Sequence, residues 1–406
     1  MRITGFIIAF FTVCLTFGQR LFPTVIDTNR NARFIDLDAS AESASTTMNN
    51  SMLNRFLFGG TIESGSIDQN FQRQKMLNTV GAILSGGIVY TDLKTDLFKH
   101  PKLGYGIQIG YDQIASVSYT DHLFGLMFKG NEQYAGMNMD LSSTVVRNIA
   151  FQKVGFGIIL KPSRSSLFLN VVNVSDYFKG GVGHGTIQQS SGLDSVTLDV
   201  EASMLQPYKS NFFTGTGLSL DFNYNIPIRF FRNSTAVLQV QFRNLGVAYV
   251  EGGIKRHKLD TIHTYTGFTV DQLFDGVLSK ENTVLDTLGV KTDSYSKWIG
   301  LPFYFQFSKA VNEDYEGKFQ SLFGLRVYPI SSYKPLVYLG VDYRPIRPLH
   351  IGLMATYGGF STFRGTLYVQ YMMKNFGFGA GCDNIVGSFS QKGFGQTYNL
   401  KLTCRF

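Results

Sequence analysis

The sequence predicts an all-β fold, a transmembrane antiparallel β-barrel of about 14 strands with a polar N-terminal segment and one long loop. Three observations predict it. Apolar and polar residues alternate in segments of about ten residues, the length a tilted strand needs to cross a bilayer. Only 16% of the 406 residues are charged while 14% are aromatic, too little charge for a water-facing surface of this size. The chain also ends on an alternating stretch that closes with Phe406. No apolar run beyond the first residues approaches the roughly 18 needed for a membrane helix, which excludes a helical membrane protein. A hydrophobic content of 44% with low charge excludes intrinsic disorder.

The elements follow in order. Arg2, the apolar run from Ile3 to Phe17 and the small residues Thr16 and Gly18 read as a secretory signal over 1–18, cleaved before Gln19. Residues 19–51 are polar and rich in Ser, Ala and Asn between Ala39 and Asn50; they are expected to plug the lumen or to lie in the periplasm. The barrel then occupies 52–406. Alternation between turn residues places strands near 79–91, 101–113, 120–128, 144–161, 165–175, 195–205, 211–226 and 235–249. Further strands are expected near 298–309, 319–328, 335–344, 348–357, 364–373, 375–383 and 397–406. Prolines 101, 162, 207, 227, 335, 345 and 348 fall at predicted strand ends or in loops, as a missing N–H requires. The stretch from His257 to Lys297 does not alternate and reads as a long insertion, with a helical pattern from Val270 to Lys280.

The alternation separates two faces. Leu103, Tyr105, Ile107, Ile109 and Tyr111 share one side of a strand, and Gln108 and Asp112 share the other with three glycines. The same reading puts Asp221, Asn223, Gln239, Gln241, Arg243, Asp342, Lys401 and Arg405 on polar faces. These ten residues are the lumen-facing candidates. They either bind or pass a polar or amphipathic solute, or form a packed interior whose charges pair with one another and with a plug. Tyr105, Tyr111, Tyr224 and Tyr343 suit the aromatic girdles at the membrane interfaces. Glycine stripes at Gly104, Gly106 and Gly110, at Gly155 and Gly157, and at Gly377, Gly379 and Gly381 leave room inside and let strands coil.

Other chemistry finds little support. Gly180 to Gly185 lacks the lysine of a phosphate loop and reads as a turn. His257 and His263 flank Asp260 without further metal ligands, so neither a metal nor another cofactor is expected. No local serine, histidine and acid arrangement marks an enzyme. Cys382 and Cys404 make no disulfide framework and are expected to stay reduced. The net charge of +8 suits anionic lipid head groups, but no basic run interleaved with aromatics points to nucleic acid.

A set of short motifs carries a resemblance. Leu126, Gly130-Asn131, Tyr134 and Gly136 precede the strand from Phe151 to Leu160; Asn244-Leu245-Gly246, Leu301-Pro302 and Asp383 to Gly387 follow. This arrangement resembles the uncharacterised outer-membrane barrels of Bacteroidota grouped as a domain of unknown function. They are similar in plan to FadL-like fatty-acid-transporter barrels and to the PorV shuttle barrel of the type 9 secretion system. The resemblance covers about Phe56 to Phe406 and implies a 14-stranded outer-membrane barrel with a lumen plug. The final stretch, with Tyr398, Leu400, Leu402 and Phe406 on one face, resembles the signal read by the barrel insertion machinery. Two roles stay open. One is FadL-like transport of small hydrophobic or amphipathic molecules. The other is a non-transporting barrel subunit of an envelope secretion or assembly complex.

Overall fold

A computed structural model describes residues 25–26, 32–207, 212–230, 234–266, 289–312 and 317–406. The predicted signal over 1–18 and the helical pattern from Val270 to Lys280 lie outside the described residues. Sixteen antiparallel strands form a ring. They are β1 (Arg33–Ser45), β2 (Asn78–Asp92), β3 (Leu103–Tyr119), β4 (Val145–Leu160), β5 (Ser165–Gln189), β6 (Val196–Pro207), β7 (Gly215–Phe230) and β8 (Ser234–Tyr265). The ring continues through β9 (Lys291–Gly300), β10 (Tyr304–Asn312), β11 (Phe319–Val327), β12 (Lys334–Ile346), β13 (Leu349–Gly359), β14 (Phe363–Met372), β15 (Phe376–Cys382) and β16 (Gly395–Arg405).

Two positions in the wall hold two strands end to end. β7 pairs with the first half of β5 and β6 with its second half, and both pair with β8 on the other side. β10 and β9 divide the far edge of β8 in the same way. Sixteen strands therefore occupy fourteen positions. The expectation is about 14 strands; the ring has sixteen, two more, because two of its wall positions are each broken into two strands. Pro302 lies in one break and Pro207 ends the strand before the other; neither can donate to a ladder.

The ring closes through the N-terminal segment. β1 pairs with β16 from Phe34 opposite Arg405 to Ala44 opposite Gly395, and with β2 along its whole length. The expectation that residues 19–51 plug the lumen is thereby corrected over β1: this stretch is wall. Its period of two was hidden by small residues, since Ala39 and Ala41 alternate with Ser40 and Glu42. Upstream, Val25–Ile26 pairs in parallel with Val311 and Asn312 of β10.

Three further expectations change. Residues 120–128 form no strand: Asp121–Lys129 is a helix, because Thr120 caps it by accepting from the Leu123 N–H and Gly130, at φ 78°, ends it. Gly180 to Gly185 is no turn; it lies inside β5, paired with β6. The predicted insertion from His257 to Lys297 begins and ends in strand, because β8 runs to Tyr265 and β9 starts at Lys291. Helices α1 (Asn50–Phe58), α2 (Ser64–Phe71), α3 (Asp121–Lys129) and α4 (Ile385–Phe389) all sit in connections at one end of the ring. The other end carries the short turns, such as the two residues between β12 and β13. Short turns and longer loops at opposite ends are the habit of outer-membrane barrels.

The polarity of a soluble protein is inverted. Ile107 and Ile109 are 44% and 56% exposed on the outside of β3, while Gln108 between them is 4% exposed. Leu218 and Leu220, Val337, Leu339 and Val341, and Phe376 and Phe378 repeat the pattern. Tyr105 and Tyr111 bracket the apolar band on β3. Beyond Tyr111 the outer face turns polar: Gln113 donates to Asn148, and Asn148 to Asp176. At the short-turn end Tyr90, Tyr105, Phe156 and Phe406 stack in series around the outside, as interfacial aromatics do. An apolar outer belt over a closed ring is what lipid requires of strands.

This inversion is testable at one residue. Leu339, 66% exposed at the middle of β12, should tolerate Phe and resist charge. We expect Leu339→Arg to destabilise the barrel in lipid vesicles by about 2–4 kcal/mol, read by urea unfolding. A loss near zero would place that face in water.

Candidate lumenal site

The inside of the ring is filled by side chains from its own walls. At its centre Lys153 of β4 projects inward, in phase with Gly155 and Gly157. Its Nζ stands 2.7 Å from Asp221 Oδ2 and 3.7 Å from Asp112 Oδ2, and it donates to Asn244 Oδ1. Asn244 Nδ2 donates to Asp112 Oδ2 at 3.1 Å, and its backbone N–H donates to Asp221 Oδ1 at 2.7 Å. Gln108 Nε2 donates to Asp221 Oδ2 at 2.9 Å and also to Asn170. Arg243 Nη1 lies 4.0 Å from the same Asp221 oxygen.

Local backbone geometry makes this cluster. The β7–β8 ladder slips between Phe242 and Leu245, and Asn244 takes φ 60° there. Asn tolerates the left-handed region better than other residues with a side chain. A bulge re-aims side chains, and here the consecutive Arg243 and Asn244 both reach one internal cavity. Asp38 of β1 lines that cavity too and attracts Arg243. β1 and β8 are almost opposite in a ring of fourteen positions, so the cluster bridges the lumen from wall to wall. It forms a septum.

Cavities lie in series on the two sides of it. A vestibule of about 200 Å³ at the short-turn end is lined by Phe34, Arg164, Asp36, Lys401 and Arg405 and floored by Gln108 and Asp221. A space of about 40 Å³ lies within the septum, between Asp112, Lys153 and Tyr304. A chamber of about 500 Å³ follows towards the loop end. One strand passes all three: Gln108, Asp112 and Ser116 of β3 line them in turn.

The structure brings seven of the ten lumen candidates to the vestibule: Gln108, Asp221, Asn223, Gln241, Arg243, Lys401 and Arg405. Asp112 lies just behind, in the septum. Gln239 sits apart, buried and donating to Asn225 Oδ1 at 3.0 Å. Asp342 belongs to another cluster, where His350 Nδ1 lies 2.9 Å from Oδ2 and Tyr368 Oη donates to Oδ1 at 2.7 Å. A third cluster joins Glu42 to Arg364 at 2.9 Å. Sequence reading missed Lys153, Asp38, Asn170 and Asn244. Lys153 was legible from the phase of Gly155 and Gly157, and Asp38 from its alternation with Leu37 and Ala39. Asn244 was not, because a bulge breaks the period. Cys382 and Cys404 are free.

Lys153 and Asp221 are each about 5% exposed, so each charge is dehydrated and depends on the other. Lys153→Met should cost about 3–5 kcal/mol by removing the cation closest to two dehydrated carboxylates and leaving only the more distant Arg243 beside Asp221. The double variant Lys153→Met/Asp221→Leu should recover part of that loss. Unfolding of the refolded barrel followed by circular dichroism measures both. A double-variant loss equal to the sum of the losses in Lys153→Met and Asp221→Leu alone would show that the two groups are not coupled.

No family model matches this chain, and no curated protein matches it. Solved structures do. The TodX deltaS2S3 mutant monoaromatic hydrocarbon channel is 5% identical over 92% of this chain and 90% of its own, with a TM-score of 0.42. The P. putida toluene transporter TodX is 7% identical over 93% and 89%, with a TM-score of 0.36. The translocator domain of the autotransporter NalP from Neisseria meningitidis is 8% identical over 94% and 90%, with a TM-score of 0.31.

Proposed function

We propose that this chain is an outer-membrane barrel, not an enzyme, that passes small amphipathic molecules through a gated lumen. One observation supports this reading above others: three cavities follow one another along β3, lined in turn by its Gln108, Asp112 and Ser116. A barrier of side chains can move without breaking a backbone ladder. The septum is held by ion pairs and amide contacts, whose partners exchange more readily than a close-packed apolar core. The vestibule carries both charge signs, Asp36 against Arg164, Lys401 and Arg405, which suits polar or charged groups of either kind. Tyr398, Leu400 and Phe406 are exposed on the outer face at the end of the chain, where the insertion machinery would read them with Leu402.

A second reading has its own support. Beyond the apolar band β5, β6, β8 and β9 continue as a projecting sheet, on which Ile262 is 73% exposed. A non-transporting subunit of an envelope complex would use such a surface to hold a protein partner.

Single-channel recording in planar bilayers separates the two. The wild-type barrel should be largely closed, and Lys153→Ala/Arg243→Ala should raise the open conductance. A variant that is folded, by its heat-shifted migration in gels, yet silent would sink the conduit reading in favour of the second.

A further inference from the structure

The chamber at the loop end differs from the vestibule. It lies beyond the apolar band, past Tyr111 and Gln113 on β3, so it faces water and not the bilayer interior. Its cations are Arg147 of β4, Lys179 of β5 and Lys297 of β9. Arg147 and Lys179 are directly opposite one another in the β4–β5 ladder. Like charges so placed destabilise a strand pair, and none of the three cations has an acidic partner among the described residues. Two acids of the adjoining strands are engaged elsewhere: Asn148 donates to Asp176 at 2.5 Å, and Arg256 pairs with Asp293. Arg147 Nε is buried without a hydrogen-bond acceptor. Buried donors without acceptors are rare in native proteins and need an explanation.

Apart from Ser116 and Asn148, the remaining wall is mostly apolar and aromatic, with Ile114, Ile149, Tyr177, Tyr295 and Phe303. A volume of about 500 Å³ suits a small molecule. We propose that this chamber binds a compact organic anion, a carboxylate on a ring-sized apolar body. The carboxylate accepts from Arg147 Nε and from Lys179, which relieves their repulsion and satisfies the orphaned donor. The body lies against Tyr177, Tyr295 and Phe303. This inference rests on the conduit reading for its purpose, since the chamber would then select what reaches the septum from the loop side.

Calorimetric titration of the full-length barrel in non-ionic detergent tests it, with 2-naphthoate as probe and uncharged 2-naphthol as the ring-matched control. We expect saturable 2-naphthoate binding, with 2-naphthol weaker by roughly tenfold or more. Arg147→Gln/Lys179→Gln should weaken 2-naphthoate by roughly tenfold or more and leave 2-naphthol unchanged. Heat-shifted gel migration confirms that the variant is folded. Should that double variant fail to fold, Arg147→Lys is the second probe, since it keeps the charge and removes the Nε donor; weaker 2-naphthoate binding supports the proposal. No saturable binding to wild type, equal affinities for the two probes, or unchanged affinity in the folded variant overturns it. Binding is read without flux, so a silent bilayer with intact binding defeats only the conduit reading. Conductance without 2-naphthoate binding defeats only this proposal.

Discussion

Every backbone N–H and C=O that faces hydrocarbon must find its partner within the protein, and the rest of this molecule depends on that constraint. A sheet meets it only when its two edges meet. Here β1 supplies the meeting, zipped between β16 and β2 from Arg33 to Ser45. Closure then assigns the faces. The outer side chains see lipid and are apolar; the inner ones see each other, polar at the septum and apolar in a buried cluster around Phe151, Val172, Leu336 and Phe360. A residue such as Leu339 is exposed for the same reason that Gln108 is buried.

Closure also creates an interior to be filled. A ring of fourteen positions is wide enough to leave a channel if its section is round. Here Asp38 and Arg243, from nearly opposite walls, line one small cavity. The walls therefore approach one another at the septum, and long side chains complete the seal. Lys153, Asp221, Asp112 and Asn244 satisfy one another there. Glycines on inward stripes permit this approach. A Cβ on Gly110 would press on the Lys153 side chain, and one on Gly155 would collide with Asn170.

The seal is polar where it could have been apolar. Buried ion pairs contribute little net stability over well-packed hydrophobic residues, so stability alone does not account for them. The proposed conduit, whose septum would exchange partners, would account for them. On either side of it the linings diverge, mixed in charge at the short-turn end, cationic and aromatic at the loop end. Passage through such a lumen would begin at one kind of chemistry and end at another.

Period-two alternation is a local property, and it was legible wherever large apolar residues mark one face. Ile107 and Ile109, Leu218 and Leu220, and Val337 to Tyr343 declare their strands without reference to any neighbour. Alternation fades where the outer residues are small, so the strand over Ala39 and Ala41 reads as part of a polar plug or periplasmic segment and the count of wall elements begins one strand late. It was also misleading over Leu123 to Phe128, where a Thr120 cap and Gly130 make a helix. The sequence by itself thus determined the class of fold, the inverted polarity and most of the inward-facing polar set, because side-chain direction alternates along any extended chain. Only the tertiary structure decided that β1 closes the ring, that Lys153 meets Asp221 and Asn244, and that Arg147 faces Lys179. Those contacts depend on register between strands far apart in sequence and on a bulge at Asn244, and neither leaves a periodic trace in the chain.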